Sequence, residues 1–129
     1  MLIPEQELYD KIFEACQNFG YKTYDYLPGG ETPYPFVELG NTQQTTLNYK
    51  QVKGGLFSQT VHVWGNQEQR YEVAQMLERI NGLVDGTLLT DHFRFVGRSN
   101  RSDIQIMNDT SVPDAVLKHG VITLFFNLG

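Results

Sequence analysis

Cys16 is the only cysteine in 129 residues. No internal disulfide can form, and no Cys pair exists to hold a metal. One unpaired thiol is consistent with a reducing compartment. Basic charge is also scarce. Ten Lys and Arg stand against fifteen Asp and Glu, for a net charge of −5 and a pI near 5.0. A nucleic-acid binder needs a basic face to neutralise phosphates, and a peripheral protein of anionic membranes needs one as well, so the balance argues against both. Long apolar runs are lacking. Val121 to Phe126 is typical of the longest, and it is far too short to span a bilayer. Met1 to Glu5 has neither a basic n-region nor a long apolar stretch, so no signal peptide is expected there.

The residues that are present suit a packed core. The hydrophobic fraction is 40%, well above that of a disordered chain, and seven Tyr and eight Phe supply large areas for burial. A chain of this length is near the commonest domain size and can bury a core without disulfide or metal. Residues 1–129 are therefore expected to form a single domain.

Two apolar stripes have helical period. Leu8, Ile12, Ala15, Cys16 and Phe19 recur at spacings of three and four, which predicts a helix over 5–19, with Pro4 in its first turn and Gly20 ending it. Val73, Met76, Leu77, Ile80, Leu83 and Val84 predict a second helix over 67–84, opened by the capping-box pair Asn66 and Gln69. The remainder reads as strands. They fall at 22–27, 36–40, 55–64, 103–108 and 118–127, with two short pieces at 87–90 and 92–97 that can also be one bent strand. In 55–64, Phe57, Val61 and Val63 share one face with Gln59 between them, and Ser58, Thr60, His62 and Trp64 share the other. The final strand has apolar residues on both faces, which marks it as central or covered by a partner. The expected order is α-β-β-β-α-β-β-β, an α+β domain with two helices packed on a mostly antiparallel sheet.

No catalytic constellation emerges. His62, His92 and His119 have no metal-ligand spacing among them, and half-exposed strand histidines are the plainer account. Cys16 falls on the apolar stripe, where a thiol behaves as a small buried hydrophobe rather than a nucleophile. Pro28-Gly29-Gly30 and Gly54-Gly55 precede no helix, so neither is a phosphate cradle. The acidic residues scatter over helix faces without selecting an acid/base pair. The chain is accordingly expected to be no enzyme and to carry no catalytic, cofactor or metal site. Two features stand apart. The polar segment Asn41 to Gly54 is long for a structureless loop, and Asn48, Tyr49, Lys50 and Lys53 near its tip are candidate contact residues. The turn over 97–102 holds Arg98 and Arg101, the most basic spot on an acidic chain, and Arg is enriched at interfaces.

The order of landmarks resembles the tail-terminator or tail-completion proteins of long-tailed bacteriophages, which act in head–tail joining. An N-terminal helix leads through a Pro/Gly-rich stretch to Tyr34-Pro35-Phe36-Val37-Glu38-Leu39-Gly40, similar to that family's Pro-Tyr/Phe-Val strand. A Thr-rich polar segment follows. Thr60-Val61-His62-Val63-Trp64-Gly65 then resembles its strand ending in an aromatic, with a helix from Asn66 to Leu83 directly after. The resemblance covers most of residues 5–84 and is looser beyond. It implies a structural virion subunit that forms a ring, usually a hexamer, capping the tail tube and joining it to the head connector. The implied partners are copies of itself, the major tail tube protein and a head-side connector protein, with no specific nucleic-acid binding and no membrane. The implied location is the virion at the tail or head–tail joint, after assembly in the host cytoplasm. Rival readings are another head-completion or minor tail protein, or a small-molecule-binding α+β domain with its histidines around a pocket.

Overall fold

The structure is a computed structural model describing residues 3–29, 32–45 and 55–129. Helix α1 spans Pro4–Asn18, with Pro4 in the first turn, where its missing N–H leaves nothing unpaired. Leu8, Ile12 and Cys16 are fully buried along one stripe. The helix stops where the periodicity predicts. Gly20 takes φ +92°, and the N–H groups of Tyr21 and Gly20 return to the carbonyls of Cys16 and Gln17 at 3.2 and 2.9 Å. This paired closure satisfies two helix-end carbonyls, and its left-handed residue is one that glycine adopts without strain.

Helix α2 spans Arg70–Asn81 and buries Val73, Met76, Leu77 and Ile80. It is shorter than the expected 67–84 at both ends. Asn66 and Gln69 do bond reciprocally: Asn66 N–H donates to Gln69 Oε1 at 2.9 Å, and Gln69 N–H donates to the Asn66 carbonyl at 3.0 Å. They close a turn ahead of the helix rather than its first turn. At the other end Gly82–Asp85 tightens into a 3₁₀ turn that still buries Val84.

The strands are β1 (Thr23–Tyr24), β2 (Phe36–Thr45), β3 (Leu56–Gly65), β4 (Thr87–Leu89), β5 (Arg94–Gly97), β6 (Asp103–Asp109) and β7 (Leu117–Leu128). They form one sheet in the order β1-β2-β3-β7-β5-β4, with β6 also paired to β7. Among the described residues only the β1–β2 pair is parallel. The α+β class with two helices on a mostly antiparallel sheet is thus observed, but the element order is α-β-β-β-α-β-β-β-β, one strand longer than expected. The pieces on either side of residue 91 are separate antiparallel strands. Thr90 N–H donates to the Phe93 carbonyl at 3.0 Å, and Phe93 N–H donates to Thr90 Oγ1 at 3.1 Å, so the chain reverses there.

β7 is the central strand. β3 pairs along one edge from Lys118 to Asn127, while β6 and β5 share the other edge end to end. Both helices cover one face of the sheet, where Phe57, Val61 and Val63 meet Ile122, Leu124 and Phe126 in a single core with Leu8, Ile12, Val73, Leu77 and Ile80. α2 lies close on the sheet because Gly120 leaves room for it. A Cβ there would sit 2.6 Å from Leu77 Cδ1 and 2.8 Å from Val73 Cγ1. On the opposite face Phe36, Trp64 and Leu117 form a smaller buried cluster edged by Tyr24 and Tyr34.

β2 runs on to Thr45 instead of ending near residue 40. Its register against β3 slips between Leu39 and Thr42, which inserts one extra residue as a bulge. Residues 41–45 of the expected polar arm are therefore strand. Its tip, with Asn48, Tyr49, Lys50 and Lys53, lies outside the described residues.

Candidate interaction surface

β6 alternates as the sequence indicated, with Ile104 and Ile106 on one face and Met107 on the other. It is exposed along most of its length: Ile104 keeps 39% and Met107 40% of its surface. Its seven residues pair with β7 in unbroken register, and among the described residues no strand pairs with its outer edge. It contains no proline, no lysine and no bulge, and of the devices that keep an edge strand from recruiting another chain it has only the acidic Asp103 and Asp109 at its two ends. The outer row of backbone N–H and C=O groups is therefore available for strand addition.

The turn from β5 to β6 carries the two arginines singled out by charge, and the fold uses both. Arg98 N–H donates to the Phe125 carbonyl at 2.8 Å, and Arg98 Nη1 donates to Asn127 Oδ1 at 2.8 Å. The Arg101 guanidinium lies 4.8 Å over the Phe125 ring. Arg98 thus bridges the part of the β7 edge between its β6 and β5 pairings, and its head group is half-buried rather than free. Arg101 remains exposed.

One side-chain grouping has no counterpart in the linear spacing. His62 on β3 and His119 on β7 stand diagonally on the face without helices, and His62 Nδ1 lies 2.8 Å from His119 Nε2. Trp64 stacks on His119 at 3.8 Å between centroids with an interplanar angle of 5°. Its indole N–H donates to Glu38 Oε1 at 3.1 Å. Burial, and then the charge of His62, hold the His119 imidazole below the usual histidine range, while Asp109 and Glu38 pull the other way. Only the β3–β7 register brings these rings together. The usable signal was strand parity, which puts His62 and Trp64 on one face. The third histidine is elsewhere: His92 in the β4–β5 turn binds Glu7 of α1 through its ring Nδ1, 2.8 Å from Oε2, and its backbone N–H, 3.1 Å from Oε1.

Over 102 residues the chain is 31% identical to the tail completion protein gp17 of Bacillus phage SPP1, a match covering 78% of this chain and 72% of that protein. The chain belongs to the phage tail completion protein family. The solved structure of the bacteriophage SPP1 gp17 protein is similar to it at a TM-score of 0.54 and 26% identity, over 96% of this chain and 88% of that one. A chain in the virion of a native gene transfer agent particle has the same fold, at a TM-score of 0.64 and 14% identity over 96% of this chain and 92% of that one. No family model matches the sequence.

As a member of the tail completion family the chain is a structural tail protein of a bacteriophage virion and not an enzyme. A groove of about 170 Å³ between α1 and the β4–β5 turn is lined by Glu7, Asp10, Lys11, Glu14 and Asp91, and two wider ones flank the helices. Neither His62 nor His119 lines any of the three. Among the described residues no group of three or more His, Cys, Asp or Glu side chains is arranged to hold a metal.

Proposed function

We propose that this tail completion protein forms a ring, a hexamer, that caps the finished tail tube and joins it to the head connector. The observation that carries the reading is the 31% identity to a protein whose role is tail completion, on a fold that leaves a seven-residue strand edge open at β6. A subunit that offers an open strand edge to a different surface of its neighbour makes head-to-tail contacts, and such contacts close into a ring when the rotation per subunit divides the circle. In this reading residues 1–129 act as one tail-terminator-like domain. The contact residues are Asn48, Tyr49, Lys50 and Lys53 in the polar segment 41–54 and Arg98 and Arg101 on the β5–β6 turn. The partners are further copies of the chain, the major tail tube protein and a head-side connector protein, met in the host cytoplasm during assembly.

The test is reconstitution. Tails made without the protein are mixed with the purified full chain and heads, then imaged by negative stain. Ring density at the head-proximal end of the tube, together with recovered joining, is the expected result. Density elsewhere on the tail, or joining that proceeds without the protein, overturns the proposal.

A further inference from the structure

The paired histidines can hold only so many protons in their present geometry. With the pair neutral, the tautomers are matched so that one facing ring nitrogen donates across the 2.8 Å contact and the other accepts. One added proton keeps a donor and an acceptor between the rings, and the bond becomes charge-assisted. A second proton leaves two donors and no acceptor, with two positive rings in contact, so the bond cannot survive.

The surroundings decide which ring moves. His119 lies face to face with Trp64 at 3.8 Å, and an indole face attracts an imidazolium. The titratable groups that face it are His62 on β3, Asp109 on β6 and Glu38 on β2. Glu38 also holds Trp64 in place through the indole N–H. His62 is held less firmly. On its far side it meets Gly40, where a Cβ would come within 2.9 Å of Nε2, and its stacking on His119 is looser, at 5.0 Å and 27°.

We propose that His62 and His119 form an acid-operated latch between β3 and β7, closed with no proton or one added and opened by the second. On opening, His119 stays stacked under Trp64 and His62 swings off Gly40. The motion uncovers Gly40 and with it the β2 bulge. The depressed proton affinity of His119 places this opening on the acid side of the ordinary histidine range.

Trp64 is the only tryptophan, so the full-length chain reports on the latch directly. The two imidazoles are followed by NMR while Trp64 emission is recorded from pH 8 to 4. The expected result is two separated steps belonging to the pair, with Trp64 emission falling at the lower one. In His62→Gln, His119 titrates in one step at a higher pH than the lower step of the wild type, because burial still holds it down but its positive neighbour is gone. Steps that coincide in the wild type, or an unmoved His119 step in the variant, overturn the proposal. If the variant does not fold, the wild type still decides. Loss of the His62–Gly40 contact with retention of the His119–Trp64 contact at the lower step supports the latch, and the reverse refutes it.

Discussion

Gln59 Nε2 donates a hydrogen bond to the Gly40 carbonyl, 3.0 Å away, from a position fully buried among apolar side chains. The same amide donates to the Thr60 carbonyl at 2.9 Å, and its Oε1 accepts from the Thr42 hydroxyl. A buried primary amide is tolerated only when its groups are paired. Here the pairing spans the β2 bulge and fixes the path of the strand beyond it. Gln59→Leu keeps much of the volume but leaves the Gly40 carbonyl and Thr42 hydroxyl without this partner. The expected loss is about 1–3 kcal/mol in urea unfolding. A loss below about 0.5 kcal/mol, the range of ordinary surface substitutions, refutes the anchoring role.

Gly120 is occupied from the helix side by Leu77 and Val73. Gly120→Ala pushes a methyl group into those side chains, and overpacking of this kind costs about 1–3 kcal/mol. The obstruction is the flexible end of Leu77, so Leu77→Ala in the same chain relieves part of it. The double variant is expected to be more stable than the sum of the single losses implies, with a coupling of at least about 0.5 kcal/mol by chemical denaturation. Strict additivity means that α2 does not rest on Gly120.

The helices were legible because each carries its own period: the stripe of Leu8, Ile12 and Cys16 and the stripe from Val73 to Ile80 need no partner to be read. The alternating strands, Leu56–Gly65 and Leu117–Leu128, were legible for the same reason. The two pieces at 87–90 and 92–97 were legible, but one bent strand stayed open as an alternative because Thr90 to Phe93 contains no glycine or proline and its turn closes through the Thr90 side chain. The extension of β2 to Thr45 was hidden because Asn41 to Thr45 is polar and draws its support from Gln59 on another strand. The His62–His119 contact was out of reach of spacing altogether, since it depends on which residues of β3 and β7 lie across from each other.

Glu7 ties α1 to the β4–β5 turn through His92. Desolvation at this contact raises the carboxyl, but hydrogen bonds from Thr90 and His92 and the charge of His92 outweigh it and hold the group below the ordinary glutamate range. A carboxyl depressed by folding contributes stability that is present above its unfolded pKa, about 4.3, and is lost as pH falls through the lower folded value. The stability gap between wild type and Glu7→Gln is therefore expected at pH 6 and expected to shrink by pH 3. Urea midpoints at the two pH values measure it, and an equal gap at both rules out the linkage.

Cys16 sits in the core with no exposed surface, and burial pushes its thiol up to about 12. The thiolate needed for alkylation is then almost absent near neutrality. Native protein is expected to resist iodoacetamide under conditions that label the urea-unfolded chain completely, as read by mass spectrometry. Cys16→Ser places an unpaired hydroxyl in the same position and is expected to destabilise by about 1–3 kcal/mol. Rapid labelling of the native chain contradicts the burial.

The polar segment around Tyr49 and the Arg98/Arg101 turn make separable demands in the ring proposal. Arg101 also packs on Phe125 within its own subunit, so Arg101→Ala is expected to lower monomer stability by about 0.5–1 kcal/mol, the worth of an exposed cation–π contact. A defect in joining by that variant is therefore ambiguous unless it exceeds what the lost stability explains. Tyr49→Ala with Lys50→Ala gives the cleaner test. Both residues lie in the polar segment, away from the two apolar stripes and the alternating strands that build the core. The double variant is expected to keep the wild-type urea midpoint and to lose head–tail joining at least tenfold in the reconstitution assay, a change that corresponds to about 1.4 kcal/mol of contact energy. Joining at the wild-type level by a folded double variant removes Tyr49 and Lys50 from the interface and leaves the β6 edge to account for assembly.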